Sequence, residues 1–215
     1  MTRFFLLMLL SCLPLSLSAK EFSVPTAPAE LEMFWVARYM EFNDLPMSIR
    51  SFKTRERADR LVPRLKTYLE EIGGQVQITQ DQDGWTTLAT ADDKRFYSIR
   101  LAEQLTETAG VFTVSGRTPI NKTDIRLPLG FMRIEKQAFF DGPSIQEFTV
   151  LGTSTGQEAA LATVERMMRQ DGWSTTRNYQ STRYFSRGKA KAHATAQVGE
   201  KGAGTLILIS KELVK

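Results

Sequence analysis

The chain repeats one order of predicted elements, and this repeat constrains its fold more than any other feature of the sequence. In the first unit, residues 34–42 and 47–54 have the pattern of two strands around a turn at 43–46. A helix is predicted next, over about 55–72. Four further strand-like runs follow it, namely QVQIT, WTTLAT, RFYSIRLAE and VFTVS. This order predicts an antiparallel sheet packed against one helix.

An apolar stripe at helical spacing predicts the helix of the first unit. Its members are Ala58, Leu61, Val62, Leu65, Leu69 and Ile72. Thr54 is the predicted N-cap, and Gly73-Gly74 is the predicted stop at the C-terminus. Because Pro63 lies inside the pattern, we expect either a kink there or a later start of the helix.

The second unit follows the same order of elements. Residues 131–140 and 144–152 form a predicted hairpin around Asp141-Gly142-Pro143, and a helix follows over about 157–171. Gly172 is the predicted end of this helix. Its apolar side carries Ala160, Leu161, Val164 and Met168. Four strands complete the unit, namely WSTTRNY, TRYFSR, AKAHATAQV and TLILIS.

A second internal similarity suggests a different register. DGWTT at 83–87 followed by RFYS at 95–98 resembles DGWST at 171–175 followed by RYFS at 183–186. That offset would align the second helix with QVQIT, which has the character of a strand. The order of elements is therefore favoured over this similarity as the guide to the fold.

The predicted fold class is α+β, with two similar modules. Each module is an antiparallel sheet of element order ββαββββ packed against one helix. The predicted organisation is an extended N-terminal arm over 20–33, a first module over 34–116, a linker over 117–130 and a second module over 131–215. The sequence leaves open whether the two modules share one core.

The first nineteen residues, 1–19, have the pattern of a secretory signal peptide. Arg3 supplies a positive n-region, residues 4–10 form an apolar h-region, and residues 14–19 include small and polar side chains. We expect cleavage near Ala19 and a periplasmic or secreted protein with no transmembrane segment after the leader is removed.

The alternative to cleavage is a lipid anchor on Cys12. Residues 9–12 resemble the lipobox of bacterial lipoproteins, in which the cysteine becomes the acylated first residue. Leu10 is a poor residue at its place in that motif, and the sequence after Cys12 is apolar where such proteins begin with a polar tether. Cleavage near residue 19 is therefore favoured.

Composition limits the chemistry of the mature chain. Cys12 is the single cysteine, so a chain cleaved near residue 19 has no disulfide bonds, no thiol nucleophile and no cysteine ligand for a metal. The fractions of 42% hydrophobic and 24% charged residues are those of a folded globular protein. Loss of Arg3 lowers the formal net charge from +4 to about +3, which is too small to predict nucleic-acid binding.

The motifs that suggest chemistry have simpler structural explanations. His193 is the single histidine, and it alternates with alanines in AKAHATAQV, whose alanine face we expect to lie inward. No nucleophile turn of the G-x-S-x-G type accompanies it. Residues 81–84 have the acidic spacing of a calcium loop, but the final glutamate is missing and turn chemistry explains them. We predict a non-enzymatic protein with no cofactor and no metal site.

The candidate binding surface lies in residues 172–199, which contain no acidic residue. Aromatic residues alternate there with cations, a combination that binds anionic ligands and acidic protein surfaces. The alternative is a solvated outer face of a sheet, with lysines that prevent aggregation at its edge. The candidate binding residues are Arg177, Arg183, Arg187, Lys189 and Lys191.

The layout of a leader, two small modules and a glycine-rich turn before TLILIS is similar to that of accessory proteins of bacterial envelope machines. We expect an exported, non-enzymatic binding or scaffolding protein of the bacterial envelope, such as an accessory component of a secretion or pilus assembly. An envelope protein is the expected partner, and nucleic acid is not expected as one. The alternatives are an exported hydrolase that acts on cell-wall material and a binder of an anionic ligand.

Overall fold

The computed structural model shows twelve strands and two helices within the residues it describes. The predicted signal peptide, Cys12 and the middle of the predicted linker lie outside those residues. The described residues are 24–28, 31–120, 127–140, 142–199 and 204–215.

The elements follow one order in both halves of the chain. The first half contains β1 (Met33–Phe42), β2 (Leu45–Thr54), α1 (Ala58–Gly73), β3 (Gln77–Gln80), β4 (Thr86–Ala91), β5 (Arg95–Glu103) and β6 (Thr108–Gly116). The second half contains β7 (Phe131–Phe139), β8 (Ser144–Thr153), α2 (Gln157–Gln170), β9 (Ser174–Tyr179), β10 (Thr182–Arg187), β11 (Ala190–Val198) and β12 (Thr205–Val214).

All twelve strands belong to one antiparallel sheet. Its order is β3-β4-β5-β6-β2-β1-β7-β8-β12-β11-β10-β9. The order is symmetric about the centre, because β1 and β7 are the first strands of the two halves and each half continues outward in the same way. DGWTT leads into β4, whereas DGWST leads from α2 into β9, so the two similar motifs occupy different places in this arrangement.

The predicted α+β fold of two modules, each with a sheet of its own, is wrong. The described part of the chain is mostly one twelve-stranded sheet with two short helices, because β1 pairs with β7 and joins the strands of both halves. The sequence pattern of a strand predicts which residues face a core, but not which distant strand accepts its hydrogen bonds. Pairing of β1 with β7 covers part of two edges that would otherwise expose backbone donors and acceptors.

The joint between the halves is short. The described β1–β7 ladder consists of Met40, Glu41 and Phe42 opposite three residues of β7, whereas the β8–β12 ladder runs along the whole of β12. The turn between β1 and β2 extends the joint, since the Asn43 N–H donates to the Lys136 carbonyl at 2.8 Å. The Lys136 N–H donates in return to Asn43 Oδ1 at 2.9 Å.

The helices form where the apolar stripes predict them, but the predicted N-cap of α1 is wrong. Helix α1 begins at Ala58 after Arg57, whose side chain makes no capping hydrogen bond, and the Ala58 N–H donates instead to Glu103 Oε2 at 3.4 Å. The hydroxyl of Thr54 instead accepts the Glu56 N–H at 3.2 Å, before the helix starts. The predicted glycine stop is confirmed, because Gly74 ends the helix at a φ of 86°.

Each half has its own apolar core between its helix and the sheet. The core of the first half includes Phe52, Leu61, Leu65, Leu69, Ile99 and Phe112. The core of the second half includes Leu151, Leu161, Val164, Met168, Phe185 and Ile207. The prediction that the alanines of β11 face inward is confirmed, since Ala190, Ala192, Ala194 and Ala196 are buried in the second core.

Both helices lie on the same face of the sheet. Residues directly opposite each other on paired strands share a face. One row of such partners leads from β2, on the face of Phe52, to Ala192 in the second core: Pro46, Glu41, Ala138, Glu147, Lys211 and Ala192. The opposite face carries no helix of the described chain, and we call it the helix-free face.

Candidate functional site

Four of the five predicted cations are divided between the two faces of the sheet, and the fifth, Lys189, lies at a turn. Arg183 lies on the helix side, where its side chain is buried, with 7% of the residue exposed. Its guanidinium pairs with the Glu158 carboxylate, and its Nε lies 3.9 Å from Glu165 Oε2. It also donates to the Gln180 carbonyl at 3.0 Å. Arg183 therefore ties β10 to α2 and does not lie with the cations of the opposite face.

Arg187 also lies toward the helix side. Its Nη1 donates to the Asp171 carbonyl at the end of α2, at 3.0 Å. Its guanidinium lies 4.7 Å from the ring centroid of Trp173, which is buried. A cation at the C-terminus of a helix stabilises the last carbonyls. Arg187 thus covers a core residue and caps α2.

Arg177 and Lys191 lie on the helix-free face, and Lys189 lies at the adjoining turn. In the sheet, Tyr184 lies between Arg177 on β9 and His193 on β11. Lys191 precedes His193 by two residues on the same side of β11. Gly188 forms the turn between β10 and β11, with a φ of 59°. No described carboxylate pairs with Arg177, Lys189 or Lys191.

Aromatic rings separate these cations. The Tyr184 and His193 ring centroids are 6.1 Å apart, with the planes tilted by 38°. The Arg177 guanidinium lies 5.7 Å from the centroid of Tyr179. Both tyrosines are exposed to solvent. We call this set the basic–aromatic surface, and its members are Arg177, Tyr179, Tyr184, Lys189, Lys191 and His193.

The same face carries an apolar patch on β7, β8 and β12. Leu206 lies opposite Gly152, which lies opposite Met132, and Leu208 lies opposite Val150. The exposed members retain 42–64% of their accessible area. We call this set the apolar patch, and its members are Met132, Ile134, Val150, Leu206 and Leu208.

Gly152 gives the patch its depth. A Cβ at this position would lie 3.0 Å from Ile134 Cδ1 and 3.5 Å from Met132 Cγ, so both side chains lean over the glycine. A cavity of about 510 Å³ opens beside it, with Leu206 on its other side. Sequence inspection missed this patch, although the alternation of Leu206 and Leu208 with the buried Ile207 and Ile209 indicates a strand that is apolar on both faces.

The apolar patch and the basic–aromatic surface adjoin each other. Val150, Leu208 and Thr195 form one row of direct partners, and the next row places Ser210 beside His193. Two acidic residues border the combined surface. Glu212 lies opposite Lys191, and Glu135 lies opposite Val150.

A buried ion cluster lies at the joint of the halves. The Asp44 carboxylate pairs with Arg133 Nη2 at 2.7 Å and with Lys136 Nζ at 3.2 Å. Asn43 and Asp44 have φ values of 48° and 66°, as a tight hairpin turn requires. Nearby, Tyr39 donates to Glu41 Oε1 at 3.2 Å, and burial together with this carboxylate raises the pKa of Tyr39 to about 12. The cluster fastens the β1–β2 turn to β7.

The acidic turn at 81–84 is closed by its own hydrogen bonds. Asp81 Oδ1 accepts the N–H groups of Asp83 and Trp85, at 3.1 and 2.9 Å, and Oδ2 pairs with Arg100 at 2.7 Å. The backbone N–H of Trp85, followed by Arg100, lowers the pKa of Asp81. In the described part of the chain, no three histidine, cysteine or acidic side chains are grouped as metal ligands would be.

His193 has no catalytic surroundings among the described residues. It lies opposite Ser210 on β12, but no hydrogen bond joins the two side chains.

Neither helix in the described ranges has the length and apolar character needed to cross a membrane. No protein-family model, curated protein or solved structure matches this chain. The two surfaces of the helix-free face are therefore the features from which a function can be inferred.

Proposed function

We propose that this chain is an exported, non-enzymatic scaffolding protein of the bacterial envelope that holds an acidic protein partner, such as a component of a secretion or pilus assembly. The observation that carries the proposal is the basic–aromatic surface. Its cations lie on or beside a face that no described helix covers, and no described carboxylate pairs with Arg177, Lys189 or Lys191.

The chemistry of this surface favours recognition of an acidic partner. Exposed cations attract a partner over about 8 Å at physiological ionic strength and raise the rate of encounter. Tyrosine and arginine are enriched at the centres of protein interfaces, where Tyr184 and Arg177 would supply contact area between the charges. Arg183 and Arg187 support this surface from the helix side of the sheet through their contacts with α2.

A crosslinking experiment tests the proposal. The triple variant Arg177→Glu/Lys189→Glu/Lys191→Glu and the wild type are expressed with their native leader, and captured partners are identified by mass spectrometry. We expect the variant to lose the wild-type partner at physiological salt, with a change in melting temperature of a few degrees at most, because exposed charges contribute about 0–1 kcal/mol each.

The matched control reverses exposed cations elsewhere. Arg60 lies on α1 and Lys94 lies on the β4–β5 turn, and both are exposed. Arg60→Glu/Lys94→Glu changes the charge in the same sense, and we expect it to retain the partner. Unchanged capture by the triple variant would overturn the proposal. Equal loss in the control would show that overall charge, and not this surface, holds the partner.

A further inference from the structure

We infer that the partner segment held by the helix-free face is an acidic amphipathic helix. Its apolar stripe would lie on the apolar patch, and carboxylates along one flank would meet the basic–aromatic surface. This inference rests on the proposed function and extends it, because it names the partner chemistry at a second part of the same face.

The apolar patch has the shape that one helix covers. It spans three neighbouring strands, which lie about 5 Å apart, so its width is about 10 Å and similar to the diameter of a helix. The apolar side chains are arranged in two rows along the strands, with Gly152 as a low point between Met132 and Leu206. A side chain from the stripe of a helix can enter the cavity of about 510 Å³ beside Gly152.

The sheet already shows this mode of packing on its other face. Helix α2 buries Leu161 and Val164 in the core that also contains Ile207, and Ile207 lies between Leu206 and Leu208 on β12. The same strand therefore presents apolar residues to both sides, and one side has a helix of the chain while the other has none among the described elements. A strand that is apolar on both faces is typical of a sheet covered on both sides.

Charge determines which helix fits. Lys191 and His193 lie on β11, one strand beyond Leu208 and Ser210, and Arg177 lies on β9, two strands beyond β11 at the edge of the sheet. Carboxylates on one flank of the helix would meet Lys191, on the strand next to β12, while the apolar stripe remains on the patch. Glu135 and Glu212 border the face, so a continuous anionic membrane surface would meet like charge at two places. A protein helix can place neutral residues opposite them.

A defined peptide tests the inference. The probe is a synthetic helix of about 18 residues with leucines at i, i+3, i+4 and i+7 spacing and glutamates on one flank. A scrambled peptide of the same composition is the control probe. We expect fluorescence anisotropy to show that the amphipathic peptide binds at least about tenfold more tightly than the scrambled peptide. This preference should persist when added salt weakens the binding of both peptides.

Variants of the protein locate the site. Leu206→Gln/Leu208→Gln should weaken binding of the amphipathic peptide by about tenfold or more, since two exposed apolar contacts are lost. Phe96→Gln is the matched control, because Phe96 is 45% exposed on the helix-free face of the first half. It should leave binding unchanged. Thermal melts of all three proteins show whether the substitutions affect folding.

Each contrary outcome has a separate meaning. Equal binding of the scrambled peptide, or no binding of either peptide, would overturn the inference. Binding of phosphatidylglycerol vesicles that disappears in Leu206→Gln/Leu208→Gln, without peptide binding, would assign the patch to lipid and also overturn it. If the leucine variant retains the crosslinked partner that the charge variant loses, the proposed function stands and the helix inference fails.

Discussion

At the scale of single residues, the helix-free face shows how alternation selects among cations of the same segment. Arg183, Phe185 and Arg187 share one side of β10, and Phe185 is buried in the second core. The side chains of Arg183 and Arg187 consequently turn toward α2. Tyr184 points the other way, toward Arg177 and His193. The apolar Phe185 was the sequence signal that could have separated these arginines from the exposed cations.

Removal of Arg183 should therefore lower stability more than removal of an exposed cation. We expect Arg183→Ala to lower the free energy of unfolding by about 1–3 kcal/mol, because the buried contacts with Glu165 and the Gln180 carbonyl are lost. Arg177→Ala, on the exposed side, should change it by about 0.5 kcal/mol or less. Urea unfolding measures both values. A larger loss for Arg177→Ala would contradict the assignment of the two side chains to different faces.

At the scale of elements, the sequence predicted both helices correctly, because each helix buries its apolar stripe in the core of its own half. Leu65 of α1 and Val164 of α2 are both fully buried, and each belongs to the core of its own half. The glycines at the ends of the helices were readable as well, since Gly74 and Gly172 adopt positive φ values that favour glycine. The residue at which α1 begins was not predicted correctly, because the hydroxyl of Thr54 accepts an N–H that precedes the helix.

A buried charge should unfold one half at a time. We expect Leu65→Asp to unfold the first half and Val164→Asp the second, since an unpaired charge in a core costs more than about 4 kcal/mol. Limited proteolysis with mass spectrometry should then find a resistant fragment from the other half. Exposed positions on the same helices, Arg60→Asp and Ala162→Asp, serve as controls. Loss of all resistant fragments in both core variants would show that the halves cannot stay folded separately.

At the scale of the whole molecule, the sequence predicted the elements but not the sheet that unites them. Apolar periodicity shows which side of β1 or β7 faces inward. It carries no information on which strand pairs with the edge of each strand that lies away from its hairpin neighbour. The ion cluster at the joint was equally hidden, because Asp44 and its partners Arg133 and Lys136 are far apart in the sequence. The apolar patch also depends on the pairing of strands, since only this pairing brings Met132, Gly152 and Leu206 together.

The joint should weaken when its carboxylate is neutralised. Asp44→Asn keeps a side chain that tolerates the φ of 66°, but it leaves Arg133 and Lys136 without their anionic partner. We expect faster amide hydrogen exchange at 40–42 and 137–139, while the two cores remain protected. Asp93→Asn, at an exposed position, is the control. Unchanged exchange at the joint would show that the three-residue ladder holds without the ion cluster.

The strand order also has a consequence for the time course of folding. Among the described strands, every ladder except β1–β7 is closed within its own half, so a chain that emerges N-terminus first can complete the pairing of 33–116 before β7 exists. During that interval, the edge of β1 that later pairs with β7 has no partner strand. In a crowded compartment, β7 of another molecule could reach it first and produce exchanged pairs. Slow release of the second half would lengthen that interval and increase the exchange.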